Sequence, residues 1–224
     1  MIYDATDLAI RIDQTLVRPD ATVEELTSAC EAARQYGFSC VVVSSSMVAQ
    51  ARRLLDGTLI KVCCVVGFPH GTNTTTVKIF EAMEAIKNGA SELDICIHIG
   101  LVKSGRLDAA EIDIKNIIAL TPQKVHKIIL ETGSLTQEEI VQSSHCALRA
   151  GAEFIKTSTG YGPRGATVDD IRLIRDSVGS ACRIKASGGI KDLAAVMAMI
   201  EAGADRVGTS SGPAIMQEYL GNNR

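Results

Sequence analysis

Apolar, strand-like runs alternate with helix-periodic segments eight times along this 224-residue chain. The connections between them are short, and no composition break or linker interrupts the pattern. These observations predict an α/β protein whose residues 1–224 form one domain, a (β/α)8 barrel. Composition agrees. Aromatic residues make up only 4% of the chain and tryptophan is absent, so aliphatic side chains must fill the core, as they do in a parallel sheet covered by helices. A doubly wound open sheet is the competing architecture. It fits less well because no G-x-G-x-x-G run follows the first strand.

The strand-like runs are residues 8–12, 40–44, 59–67, 92–99, 125–131, 153–158, 182–187 and 205–209. Between them, helical periodicity covers 23–36, 47–55, 75–88, 109–120, 137–150, 168–177 and 192–202. Several helical segments stop at a glycine, as in Tyr36-Gly37, Asn88-Gly89, Ala150-Gly151 and Ala202-Gly203. Glycine supplies the left-handed cap that ends a helix, and the next strand starts a few residues later.

Two lysines break the apolar runs at matching places. Lys156 stands in Phe154-Ile155-Lys156-Thr157-Ser158-Thr159-Gly160, and Lys185 in Arg183-Ile184-Lys185-Ala186-Ser187-Gly188-Gly189. An ammonium resists desolvation, so lysine suits a short buried strand poorly. A separation of 29 residues is one strand–helix unit, which sets the two amines side by side at one end of a parallel sheet. A neighbouring ammonium and desolvation both favour the neutral amine, and a neutral lysine attacks carbonyls. In Leu93-Asp94-Ile95-Cys96-Ile97-His98-Ile99, alternation puts Leu93 and the isoleucines against the helices and leaves Asp94, Cys96 and His98 facing the lumen. A carboxylate there needs cationic partners, and the two lysines provide them.

The end of the chain carries an anion signature. Gly188-Gly189 follows the seventh strand and Gly208-Thr209-Ser210-Ser211-Gly212 the eighth. Small residues expose backbone N–H groups, and this is the usual phosphate position in such barrels. The remaining composition excludes other classes. Net charge is −3 with no basic block, which argues against a nucleic-acid partner. No apolar run approaches the ~18 residues of a membrane span, and no secretory signal opens the chain. The seven cysteines show no C-x-x-C or Cys/His zinc spacing, so they read as reduced thiols of a cytoplasmic protein that uses no metal.

Taken together, Lys156-Thr157-Ser158-Thr159-Gly160, Gly165-Ala166-Thr167, Lys185-Ala186-Ser187-Gly188-Gly189-Ile190 and Gly208-Thr209-Ser210-Ser211-Gly212 resemble the deoxyribose-phosphate aldolase family. Ile12-Asp13-Gln14-Thr15-Leu16, Val66-Gly67-Phe68-Pro69, Glu92-Leu93-Asp94 and Ile129-Leu130-Glu131-Thr132 match it in the same order, so the resemblance covers nearly the whole chain. It implies a class I aldolase that reversibly cleaves 2-deoxy-D-ribose 5-phosphate to acetaldehyde and D-glyceraldehyde 3-phosphate without a cofactor. It further implies that Lys156 forms the Schiff base, that Lys185 depresses the amine pKa and assists proton transfer, and that Asp94 relays protons. Thr159, Gly160, Gly188, Gly189, Gly208, Ser210 and Ser211 would contact the substrate. A homo-oligomer, dimer or tetramer, is expected.

Some positions depart from the family pattern. Gln14 replaces a usual histidine, Val42-Val43-Ser44-Ser45 replaces a Cys-Val-Asn-Pro-like run, His70 follows Pro69, and His98 stands where asparagine is common. These are expected near the pocket wall, where they bear on substrate identity. Arg164, in the loop after the sixth strand, is expected to be solvated. Two alternatives stay open: a related lysine aldolase acting on another short aldehyde or sugar phosphate, and a phosphosugar-binding barrel without turnover.

Overall fold

The computed structural model describes residues 3–222. Eight parallel strands close on themselves in chain order: β1 (Ile12–Leu16), β2 (Cys40–Val43), β3 (Lys61–Val66), β4 (Glu92–Cys96), β5 (Val125–Ile129), β6 (Phe154–Lys156), β7 (Arg183–Ser187) and β8 (Arg206–Thr209). The last strand pairs back onto the first through Ile12↔Val207 and Gln14↔Thr209, which closes the predicted barrel and eliminates the open sheet. Around it lie α1 (Ala5–Ala9), α2 (Val23–Tyr36), α3 (Val48–Leu54), α4 (Thr75–Lys87), α5 (Ile99–Lys103), α6 (Leu107–Leu120), α7 (Gln137–Arg149), α8 (Val168–Val178), α9 (Leu193–Glu201) and α10 (Gly212–Asn222).

Local chemistry sets these boundaries. Thr22, Thr136 and Thr167 each cap a helix in a reciprocal box with Glu25, Glu139 and Asp170. Gly37, Gly89, Gly151 and Gly203 all take positive φ at helix ends, as their positions in the sequence predict. Strand alternation then sorts side chains into two compartments. Leu93, Ile95 and Ile97 join the large core between sheet and helices, while Cys40, Val42, Cys63 and Val65 form a smaller apolar cluster inside the lumen.

Three expectations are corrected. Residues 8–12 are not the first strand: Leu8 and Ala9 lie in α1, whose N-cap Asp4 accepts a 2.7 Å hydrogen bond from Asp7 N. The buried spacing of Leu8, Ala9 and Ile12 suits a helical turn as well as a strand, and the cap decides it. The strand begins at Ile12, which puts Asp13 in the lumen. Residues 92–99 likewise shorten to β4, because His98 caps α5 and its Nδ1 accepts from Leu101 N at 3.3 Å. His98 therefore belongs to a helix start and not to the lumen face. Finally, residues 45–47 form a 3-10 turn ahead of α3.

The C-terminal segment runs down the flank of the barrel rather than over its mouth. There α10 packs against α1, α2 and α9, and the Tyr219 hydroxyl donates to Tyr3 O. Asn223 and Arg224 lie outside the described residues. No described helix is long and apolar enough to cross a membrane.

Candidate active site

Register brings the two singled-out lysines together. Lys156 ends β6, Lys185 stands in the middle of β7, and the two are direct partners across the ladder. Both point inward onto one carboxylate: Asp94 Oδ2 lies 2.8 Å from Lys156 Nζ and 2.8 Å from Lys185 Nζ. The arrangement extends well beyond these three. Lys127 of β5 donates to Asp94 Oδ1 at 2.9 Å and lies 2.6 Å from Glu92 Oε2. Lys185 also meets Asp13 Oδ2 at 2.6 Å, and Arg206 closes the ring with Glu92 at 2.8 Å and Asp13 at 3.5 Å. Asp13, Asp94, Lys127 and Lys185 are fully buried.

Burying one unpaired charge costs several kcal/mol, so the count of charges matters. Four cations face three carboxylates. Lys127, Lys185 and Arg206 match Asp13, Glu92 and Asp94 one for one, and Lys156 is the amine that can be neutral without leaving a buried carboxylate unmatched. Electrostatics holds Asp13, Asp94, Lys127 and Lys185 charged. Burial pushes Asp94 toward its neutral acid, but Lys127, Lys156 and Lys185 overcome it and hold the carboxyl well below the usual range. Asp13 is likewise lowered, with Lys185, Lys127 and Arg206 outweighing burial. Burial would neutralise Lys127 and Lys185, yet the surrounding carboxylates raise both ammonium groups above the ordinary lysine range. Lys185 is thus a fixed cation beside Lys156.

A cavity of about 410 Å³ opens at the C-terminal ends of β1, β6, β7 and β8. Lys156 lines it, whereas Lys185, Lys127 and Asp94 lie beneath. Thr159, Gly160, Gly188, Gly189, Gly208 and Ser210 line it too. Ser211 does not: its N–H donates to Thr209 Oγ1 at 2.9 Å. At α9 the first N–H groups are already taken, Leu193 N by Glu218 and Ala195 N by Asp192. The β7 turn is built on a close approach. Ala166 N donates to Gly188 O at 3.2 Å, and a Cβ on Gly165 would stand 2.1 Å from that same oxygen, so only glycine fits.

None of the departing positions lines this cavity. Gln14 faces the helix layer and donates from Nε2 to Ser210 O at 3.2 Å, which supports the β8 turn from behind. Val42 belongs to the lumen's apolar cluster, Ser45 donates to Glu81, Ser44 lies 3.4 Å from Ser46, and His70 is exposed. The pocket wall is made instead by β1 and by the turns after β6, β7 and β8. Arg164 is only partly solvated. It is pinned to Asp170, with Nη2 2.9 Å from Oδ1, and to Thr132 O at 3.3 Å.

Sequence reasoning missed Lys127, Glu92, Asp13 and Arg206 as members of the site. The signal for Lys127 was present, since a lysine inside Val125-His126-Lys127-Ile128-Ile129 breaks an apolar strand just as Lys156 does. Cys40, Cys63 and Glu92 bring three potential metal-ligand atoms within 4.8 Å of one another. The cation there is the Lys127 ammonium, 3.4 Å from Cys63 Sγ, and burial holds the Cys40 thiol well above its ordinary range.

A charged cluster buried under Lys156, the one lumen lysine that lines the cavity, at the strand C-termini of an eight-stranded barrel, defines a lysine-dependent barrel enzyme. Comparison with known proteins narrows the class. A sequence model of the DeoC/LacD family aldolases matches residues 7–218. A deoxyribose-phosphate aldolase of Geobacillus sp. (strain WCH70) is 45% identical over 218 residues, 97% of this chain and 98% of the relative. The solved aldolase QR15 superposes with a TM-score of 0.93 at 42% identity, covering 97% of each chain. A tetrameric deoxyribose phosphate aldolase from Aeropyrum pernix superposes with a TM-score of 0.91 at 31% identity, over 97% of this chain and 92% of that one. The chain belongs to the DeoC/LacD family of aldolases.

Proposed function

We propose that this protein is a class I aldolase that reversibly cleaves 2-deoxy-D-ribose 5-phosphate to acetaldehyde and D-glyceraldehyde 3-phosphate, with residues 1–224 acting as one catalytic domain. The observation that carries the reading is that, of the three lysines gathered in the lumen, Lys156 alone lines the cavity. Its neutral amine adds to the C1 aldehyde of the open-chain sugar, and loss of water leaves an iminium. The C3 hydroxyl gives up its proton, the C2–C3 bond breaks, and its electron pair moves into the iminium to form an enamine. Glyceraldehyde 3-phosphate departs. The enamine takes a proton at C2, and water releases acetaldehyde and restores the amine.

Asp94, 2.8 Å from Lys156 Nζ, stabilises the iminium charge and is the nearest group for moving protons. Lys185 reaches the reaction through Asp94. Its positive charge favours the uncharged amine required for attack. The phosphate would lie against the backbone of Gly188, Gly189 and Ser210 near the start of α10. A homo-oligomer is the proposed assembly, supported by the tetrameric relative and by the exposed stripe Val77, Phe80 and Met83 on α4. The proposed compartment is the cytoplasm, where the seven buried free cysteines would stay reduced.

The test pairs a retro-aldol assay on 2-deoxyribose 5-phosphate and on 2-deoxyribose with borohydride trapping in acetaldehyde. A two-carbon label on Lys156 is expected. Label on Lys185 would exchange the two roles, and no label on either would end the aldolase reading.

A further inference from the structure

Glu131 is a buried residue, 4% exposed, whose backbone is left-handed at φ 60° and ψ 59°. Among the described residues only the exposed Gln123 shares a positive φ without being glycine. Such a conformation is unfavourable for a side-chain-bearing residue and persists only where its surroundings enforce it. Here the ladder enforces it from both sides: Leu130 N donates to Lys156 O at 2.9 Å and Thr132 N to Thr157 O at 3.0 Å. The strained residue is therefore clamped directly onto the strand end that carries the reactive amine.

The conformation aims the carboxylate across the turn that follows Lys156. Thr159 N lies 3.3 Å from Oε2 and 3.4 Å from Oε1, and the Thr159 hydroxyl donates to Oε2. That hydroxyl in turn accepts from Tyr161 N at 3.0 Å. A Cβ on Gly162 would stand 2.7 Å from Glu131 Cδ, so the turn is packed against the carboxylate itself. Among the described residues no cation lies within ion-pair distance of Glu131, which is engaged entirely by the turn's own N–H and O–H groups. Thr159, Gly160 and Tyr161 are the wall of the cavity beside Lys156.

We propose that Glu131 is a positioning residue for the aldol reaction: its carboxylate fixes the Thr159–Tyr161 turn against the Lys156 strand end, so that the wall receiving the sugar is set before substrate arrives. The inference rests on the aldolase reading. It distinguishes attack by the amine, which needs Lys156 and the charges beneath it, from correct placement of a five-carbon substrate, which needs the wall.

The experiment measures retro-aldol kinetics on 2-deoxyribose 5-phosphate, borohydride trapping with saturating acetaldehyde, and thermal melting. The variants are Glu131→Ala, Glu131→Gln, Thr159→Val and the double variant Glu131→Ala/Thr159→Val. Glu131→Ala is expected to lower kcat/KM about tenfold or more while acetaldehyde trapping on Lys156 stays within about twofold. Glu131→Gln keeps an acceptor oxygen and should recover to within about threefold of wild type, and the double variant should be no worse than the worse single variant. If Glu131→Ala does not fold, Thr159→Val must by itself show the same split. Turnover within about twofold of wild type in Thr159→Val and Glu131→Ala, or trapping that falls in step with turnover, overturns the inference alone. A wild-type protein with neither turnover nor adduct overturns the aldolase reading and the inference with it.

Discussion

Lys127→Met tests the charge count in the barrel lumen. The substitution keeps the length of the side chain but removes an ammonium lying 2.6 Å from Glu92 and 2.9 Å from Asp94 at zero exposure. Glu92 then keeps only Arg206, and Asp94 Oδ1 keeps only the Cys63 thiol at 3.0 Å. Removing one partner of a buried pair typically costs about 3–5 kcal/mol, because the other charge stays buried. For a chain of this size that is a fall in Tm of roughly 6–20 °C. Lys156→Met makes the contrast. It also removes a buried amine, yet it leaves Lys127, Lys185 and Arg206 against the three carboxylates, and Asp94 Oδ2 retains Lys185 at 2.8 Å. Its expected cost is about 1 kcal/mol or less, with complete loss of the borohydride adduct. Urea unfolding of both variants at neutral pH measures the difference. Equal destabilisation by the two substitutions would refute the idea that the cluster is balanced around a neutral Lys156.

Further outcomes follow from the same geometry. Lys185→Leu should abolish turnover and also destabilise the fold by about 3–5 kcal/mol, since Asp13 would keep only Arg206 at 3.5 Å as an ion-pair partner, beside the Ser39 hydroxyl at 3.1 Å; unchanged urea stability with lost activity would contradict this. The pH profile of stability should be a plateau with two edges. Asp13 and Asp94 have lowered pKa values, so their contribution is present above the unfolded carboxylate value of about 3.9 and is lost as pH falls through the lower folded values. Lys127 and Lys185 have raised values, so theirs is complete below the unfolded lysine value of about 10.4 and fades as pH climbs toward the folded values. Unfolding free energy measured across pH checks both edges. Ser210→Asp should raise KM for 2-deoxyribose 5-phosphate by about tenfold or more through charge repulsion while barely changing it for 2-deoxyribose. Equal losses on the two substrates would move the phosphate elsewhere.

What could be read from the chain was whatever depends on local periodicity and on the cost of burying a charge. The αβ alternation, the capped helices and the inward faces of β4, β6 and β7 follow from neighbours a few residues apart, and so does the oddity of Lys156, Lys185 and Asp94 in apolar strands. Where two local readings cost the same, the chain was ambiguous: Leu8, Ala9 and Ile12 suit a helical turn or a strand, and only the Asp4 cap and the pairing of Ile12 with Val207 separate them. The composition of the charge cluster was decided by tertiary structure alone. Asp13, Glu92, Lys127 and Arg206 come from four strands, and barrel closure sets them against one another at 2.6–3.5 Å. Depth, too, was invisible in the sequence. Lys156 and Lys185 alternate identically along their strands, yet one lines the cavity and the other lies beneath it. The two are register partners, so strand position does not separate them; what does is the contact each amine makes, Lys185 being buried against Asp13 at 2.6 Å while Lys156 is left at the cavity.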